Sequence, residues 1–257
     1  MVRSAFRPSD DASIYQLLVP ANMMFATYLE SASLIMTKLH DVRAANLSSS
    51  MQEFAYGIRK GIDKDAVVAH KEHGNIFAYE VDGFGSASLM DDANIPSLLA
   101  IPMWNFTNPG SRFKVPARTK EYPKIYENTR KFVLSKSNPY WAEGPILSAI
   151  GGPHLGPGKG WPMAAIVRAI TAYSPLLEDM GQDDREKEVR EQLAMVLDST
   201  NGEGVIHESV NAWRESDWTR TWFGWANGLF GELVLMIERE AKNDGNKKKG
   251  ILDESWQ

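Results

Sequence analysis

The sequence predicts an all-α fold. Apolar residues recur at three- and four-residue steps through most long segments, and proline, glycine and acidic residues of the kinds that start and stop helices bound those segments. Strand character is confined to one short run. With 257 residues, 43% hydrophobic and 24% charged, the chain can bury a substantial core and fits one large domain better than two small ones.

The first predicted helix spans 21–39, where Met24, Tyr28, Leu29, Ala32, Ile35, Met36 and Leu39 share a face. A second covers 51–68 despite Gly57 and Gly61, and a third covers 94–103, starting close to Pro96. Residues 122–134 form the fourth. The fifth, 162–173, has proline in its first turn, where the missing N–H is no loss. The sixth, 184–197, begins with acidic residues that suit the positive end of the helix dipole, and 221–241 closes the set. One extended run is expected at 76–81, leading into Asp82-Gly83. Polar loops rich in Gly, Pro and Asn connect these elements, with no internal repeat or low-complexity tract, and function is expected on those loops.

Composition excludes several classes. A net charge of −5 lacks the footprint of a nucleic-acid binder, and the one basic cluster, Lys247 to Lys249, reads as a solvated tail. No apolar stretch reaches the ~18 residues that span a bilayer, and the start of the chain has no signal-peptide core. The absence of cysteine removes disulfides, thiolate metal sites and a cysteine nucleophile. The sequons Asn46-Leu47-Ser48 and Asn105-Phe106-Thr107 would matter only in a secretory lumen.

The loops carry three acidic clusters: Arg7-Pro8-Ser9-Asp10-Asp11, Met90-Asp91-Asp92-Ala93-Asn94 and His207-Glu208-Ser209. Paired carboxyls suit glycoside hydrolysis, in which one protonates the leaving oxygen and the other activates water or attacks. Paired aspartates near a helix start also have a plainer use as N-caps. His207-Glu208 lacks a second histidine four residues on, so no metal site is expected. Trp213, Trp218, Trp222, Phe223 and Trp225 alternate with Arg214 and Arg220, a mixture suited to the apolar face and hydroxyls of a sugar. Trp213 and Trp218 are the better sugar candidates, because Trp225 is expected in a buried helix face. The loop 151–160 has neither dinucleotide nor P-loop spacing, so His154 on it is either a structural hydrogen-bonder or a ligand contact.

Taken together, Phe6-Arg7-Pro8-Ser9-Asp10-Asp11-Ala12, Val81-Asp82-Gly83-Phe84-Gly85, Met90-Asp91-Asp92-Ala93-Asn94-Ile95-Pro96, Asn138-Pro139-Tyr140, Gly152-Pro153-His154, Gly160-Trp161-Pro162-Met163, His207-Glu208-Ser209 and Trp225-Ala226-Asn227-Gly228-Leu229-Phe230-Gly231-Glu232-Leu233 resemble glycoside hydrolase family 125, and within it the fungal Mug157-like branch. The resemblance implies an (α/α)6 barrel and a metal-independent, inverting exo-α-1,6-mannosidase without cofactor, acting on mannose-containing oligosaccharides. It places the general base on Glu208 and the general acid on Asp10 or Asp11. It implies that Asp91 and Asp92 grip mannose hydroxyls, with Arg7, Asn94, His154, His207 and Arg220 around them.

Members of the family are considerably longer, so the resemblance also implies that the barrel's first helices are missing here and the barrel is incomplete. Residues 1–241 would then be the C-terminal part of one catalytic domain, and 242–257 a polar tail. The full-length parent is expected in the secretory pathway or outside the cell. The alternative is a truncated, inactive carbohydrate-binding remnant, but both catalytic clusters are intact, which favours an active parent. A helical scaffold for protein partners would need neither the paired acids nor the tryptophans.

Overall fold

The computed structural model describes residues 1–177, 179–243 and 250–253. The Lys247–Lys249 cluster and the last four residues of the expected tail lie outside these. The chain divides into two compact units, residues 1–91 with 95–138, and residues 92–94 with 139–257.

In the first unit, α1 (Val19–Met36) and α2 (Val42–Asp65) form an antiparallel hairpin. Pro20 opens α1, and Asp41 caps α2 by accepting the N–H groups of Arg43 and Ala44 at 2.8 and 3.3 Å. The bond from the Arg43 side chain, then those from the backbone, hold the Asp41 carboxyl below its ordinary range. The hairpin's inner seam carries a buried ion pair. Arg59 donates from Nε and Nη2 to the two Glu30 oxygens at 2.6 and 2.9 Å, and from Nη1 to the Phe106 carbonyl at 2.9 Å. Its outer face leaves Tyr28, Ile35, Val42, Leu47 and Phe54 exposed.

The strands β1 (Leu17–Leu18), β4 (Glu80–Val81) and β5 (Ala87–Ser88) form one small antiparallel sheet, and β2 (Val67–His70) and β3 (Gly74–Phe77) form a hairpin. The single extended run expected at 76–81 is therefore shared between two sheets. The unit ends with α3 (Tyr122–Val133), whose Tyr122 stacks on Phe106 and meets Phe77 edge-on.

The second unit holds α4 (Pro162–Ala172), α5 (Gln182–Asp198) and α6 (Gly224–Asn243). Ten of the eleven α4 residues are buried because α5 and α6 both pack on it. The exception, Arg168, donates to Glu188 on α5 at 2.6 Å. Two antiparallel sheets complete the unit: β6 (Trp141–Ala142) with β7 (Ala149–Ile150), and β8 (Lys159–Gly160), β9 (Ser209–Asn211) and β10 (Arg214–Thr219) in the order β10-β9-β8. After α6, Ile251 is buried in a 3-10 turn packed on that helix.

Three expectations need correction. The fold is mainly helical, with six α-helices among the described residues, but it is not all-α, since the loops pair into four small sheets. The helix expected at 94–103 is absent. Both Asp91 oxygens hold backbone N–H groups there, from Leu98 at 2.8 Å and Leu99 at 2.9 Å, so the segment turns and keeps only a 3-10 piece, Ile101–Trp104. The last helix begins at Gly224 rather than 221, which leaves Trp222 outside it, and Trp225 is exposed rather than buried.

Candidate active site

The acidic clusters are not helix N-caps. In the first unit, residues 6–12 fold into a tight loop closed by a bridge between Phe6 and Ala12, well before α1. Inside it the Arg7 N–H donates to the Asp11 carbonyl at 2.8 Å and the Asp10 N–H to the Arg7 carbonyl at 2.9 Å. Asp10 takes a left-handed φ of 66°, a conformation that costs energy for any residue but glycine and gathers at functional sites. Arg7 is buried, its Nη2 lies 3.4 Å from Asp11 Oδ2, and its Nε and Nη1 meet no acceptor among the described residues. Asp11 also accepts from Ser9 Oγ at 3.1 Å. Beneath the loop, buried Glu80 accepts the N–H groups of Ile14 and Tyr15 at 2.9 and 3.0 Å.

In the second unit, Asp92 and Asn94 are buried together. Asp92 Oδ1 accepts both the backbone N–H and the side-chain Nδ2 of Asn94 at 3.1 Å. The Ala93 N–H donates to Gly151 at 2.9 Å, which brings the glycine loop against this turn. A Cβ on Gly152 would stand 3.2 Å from Asp92 Oδ1, a tight contact that the carboxylate could relieve only by giving way a few tenths of an ångström. His154 is exposed on the same loop, with its ring edge toward Trp161 at 6.5 Å between centroids.

Glu208 has the most defined setting. Asn227 on α6 clamps the loop segment before it, accepting the Ile206 N–H at 3.2 Å and donating to the Ile206 carbonyl at 2.9 Å. The Glu208 N–H donates to the Thr219 carbonyl at 3.1 Å, extending the β9–β10 ladder. Glu208 is only 6% exposed, and both carboxyl oxygens are held: Oε1 by Arg220 Nε at 2.8 Å and Oε2 by Thr219 Oγ1 at 3.0 Å. Arg220 reaches it from a left-handed backbone, φ 52°.

His207 is fully buried, stacked on Trp218 at 4.2 Å between centroids with planes 5° apart. Its Nδ1 lies 2.8 Å from the Thr221 carbonyl, which can only accept, so Nδ1 carries the proton in the neutral ring. Nε2 is then a buried acceptor without a donor among the described residues. Trp218 therefore spends one face on His207. Trp213 stands at the tip of the β9–β10 hairpin and is 70% exposed, with its N–H donating to Asn211 at 2.9 Å.

Asp217 ties the three strands together, accepting from Lys159 at 2.7 Å and from Asn211 and Arg214 at 3.0 Å. The Lys159 bond, then that from Asn211, hold its carboxyl below the ordinary range. Sequence reasoning gave no role to Thr219, Ser209 or Asn227. Only the tripeptide containing Ser209 and the motif containing Asn227 stood out. Among the described residues no group of three or more His, Asp and Glu side chains is placed to hold a metal ion.

The site thus combines a buried, donor-held carboxylate, a histidine acceptor and exposed tryptophan on loops between helices, the makings of a carbohydrate-acting protein. The family described as metal-independent alpha-mannosidase, glycoside hydrolase family 125, matches residues 1–235, and the chain belongs to that family. It is 40% identical over 242 residues to the meiotically up-regulated gene 157 protein of Schizosaccharomyces pombe, covering 93% of this chain and 42% of that protein. A solved structure from Streptococcus pneumoniae superposes with a TM-score of 0.77 at 32% identity, over 92% of this chain and 50% of that one. It belongs to a study of metal-independent α-mannosidases and shows a non-productive complex with α-1,6-mannobiose. The chain spans about half the length of these relatives.

Proposed function

We propose that the protein is an inverting exo-α-1,6-mannosidase that releases terminal mannose from N-glycans or mannans by single displacement. Glu208 is the general base that takes a proton from water, and Asp10 or Asp11 is the general acid that protonates the leaving oxygen. The observation carrying this reading is the Glu208 setting, a nearly buried carboxylate with both oxygens fixed by donors. Membership of an α-mannosidase family supports the reaction class, and the α-1,6-mannobiose held by the Streptococcus pneumoniae relative supports the linkage.

Asp92, Asn94, His154, His207 and Arg220 bind the mannose in this reading. Arg7 joins them because its two buried donors without acceptors suit sugar oxygens, and Trp213 offers a stacking face. Asp91, whose oxygens already hold backbone amides, shapes the turn that follows it. The (α/α)6 barrel is the proposed scaffold and the secretory pathway or cell exterior the proposed compartment, which the exposed Asn46 and Asn105 sequons support. A glycosidase-sensitive mass on the secreted protein checks the compartment.

The reaction is tested by proton NMR of α-1,6-mannobiose hydrolysis with and without EDTA. β-Mannose should form first, at a rate the chelator leaves unchanged. First formation of α-mannose contradicts inversion, and loss of activity restored by calcium contradicts metal independence.

A further inference from the structure

We propose that Ser209 and Thr219 form a hydroxyl relay that positions the Glu208 carboxylate for proton abstraction, with Thr219 as the residue that sets its orientation. The proposal rests on the reading of Glu208 as the base.

The geometry fixes the order of protons. An ionised carboxylate has no hydrogen to give, so Thr219 Oγ1, 3.0 Å from Glu208 Oε2, must donate to it. A threonine hydroxyl has one hydrogen. The contact between Thr219 Oγ1 and Ser209 Oγ at 2.8 Å must therefore carry the Ser209 hydrogen to Thr219. The chain runs Ser209 to Thr219 to Glu208, each hydroxyl polarised by the one before it.

The backbone makes the relay rigid. Ser209 and Thr219 are cross-strand partners in the β9–β10 register, so their side chains leave one face of the ladder side by side. The Glu208 N–H to the Thr219 carbonyl continues the same ladder and ties the base to the residue that orients it. Ser209 is fully buried and Glu208 nearly so, while Thr219 is half-buried, so the Ser209 end of the relay is the part shielded from water. The register shift between Arg214 and Trp218 lies on the hairpin's outer part and leaves the pairing at Trp218 and Thr219 intact.

The relay leaves room for chemistry. Oε2 is held by Thr219 and Oε1 by Arg220 Nε at 2.8 Å, so the carboxylate plane is set from two directions. Each oxygen keeps a second lone pair, and one of these can accept the proton of the attacking water. Freed from Thr219, the carboxylate would keep only the bond from Arg220, whose side chain is 65% exposed, and would rotate more freely about its terminal torsion, which is broad for glutamate. Misalignment of a base slows the chemical step and leaves sugar binding nearly untouched.

The test is a variant series assayed for kcat and KM on an aryl α-mannoside, with crystal structures of the same proteins. Thr219→Val keeps the β-branched shape without the donor and should lower kcat about 10- to 100-fold, the range for losing a hydrogen bond to a charged group, with KM within about threefold. Thr219→Ser restores the hydroxyl and should recover most of that loss. Ser209→Ala should cost about 3- to 10-fold, because it removes only the polarising donor. In the Thr219→Val crystal structure the Glu208 carboxylate should be rotated out of its position, a readout independent of turnover. A carboxylate that keeps its place, or a kcat unchanged in Thr219→Val while Glu208→Gln is inactive, overturns the relay alone. Full activity of Glu208→Gln overturns the reading of Glu208 itself.

Discussion

Replacing Arg59 with methionine should destabilise the protein by about 3–5 kcal/mol, because it leaves the Glu30 carboxylate buried without a counter-charge. Arg59 is fully buried and Glu30 is 2% exposed, so water cannot take the place of the guanidinium. The substitution removes two short hydrogen bonds to Glu30, at 2.6 and 2.9 Å, and one to the Phe106 carbonyl at 2.9 Å. It also removes a guanidinium 4.3 Å above the Phe106 ring. Methionine fills most of the volume, so the loss comes from the unpaired charge rather than from a cavity.

The double variant Glu30→Leu with Arg59→Met separates these effects. It removes both charges and leaves only the Phe106 carbonyl without its donor, a cost of about 1–3 kcal/mol. Urea unfolding of the wild type, both single variants and the double variant gives the coupling directly. The double variant should be more stable than Arg59→Met alone. A single-variant loss below about 1 kcal/mol, or a double variant equal to the sum of the singles, would refute the reasoning.

Three further outcomes follow from particular contacts. Asp217 has its pKa lowered below 3.8 in the fold, so it contributes stability that is present above that value and lost as pH falls through the folded value; Asp217→Asn should lower the melting temperature at pH 7, and the difference from the wild type should shrink as pH falls below the ordinary carboxylate range. Gly152→Ala puts a Cβ 3.2 Å from Asp92 Oδ1, so the carboxylate must give way by a few tenths of an ångström, and KM should rise about 3- to 10-fold while the circular dichroism spectrum stays unchanged, whereas an unaltered KM would show that sugar binding does not depend on that close approach. Ile35→Glu with Leu47→Lys acts on the exposed face of the α1–α2 hairpin and should reduce concentration-dependent light scattering, with stability within about 0.5 kcal/mol of the wild type.

Much of the helical framework was legible, because amphipathic spacing over 11 or more residues is a local signal: α1, α3, α4 and α5 lie within a few residues of their expected bounds. The small sheets were not, since strands of two to six residues such as β8 and β9 pair across some fifty positions and carry no alternation of their own. The false helix at 94–103 shows the same limit. Apolar residues there have helical spacing, but a carboxylate at Asp91 takes the amides the helix would need.

The acidic clusters were visible as residue types, and their roles came from family resemblance rather than from spacing. Sequence could not show that Arg220 would take a left-handed backbone to reach Glu208, nor that Trp218 would give a face to His207 instead of to a sugar. Both depend on the β9–β10 hairpin, which the polar run Arg214–Thr219 does not announce.

The measurement closest to the central claim compares wild type and Glu208→Gln for hydrolysis of an aryl α-mannoside and for mannose affinity by calorimetry. The amide keeps the shape of the carboxylate but cannot take a proton from water, so turnover should fall by at least ~10³-fold, while the sugar dissociation constant stays within about threefold. A Glu208→Gln protein that hydrolyses the substrate at the wild-type rate would contradict the assignment of Glu208 as the base and, with it, the account of how this site acts.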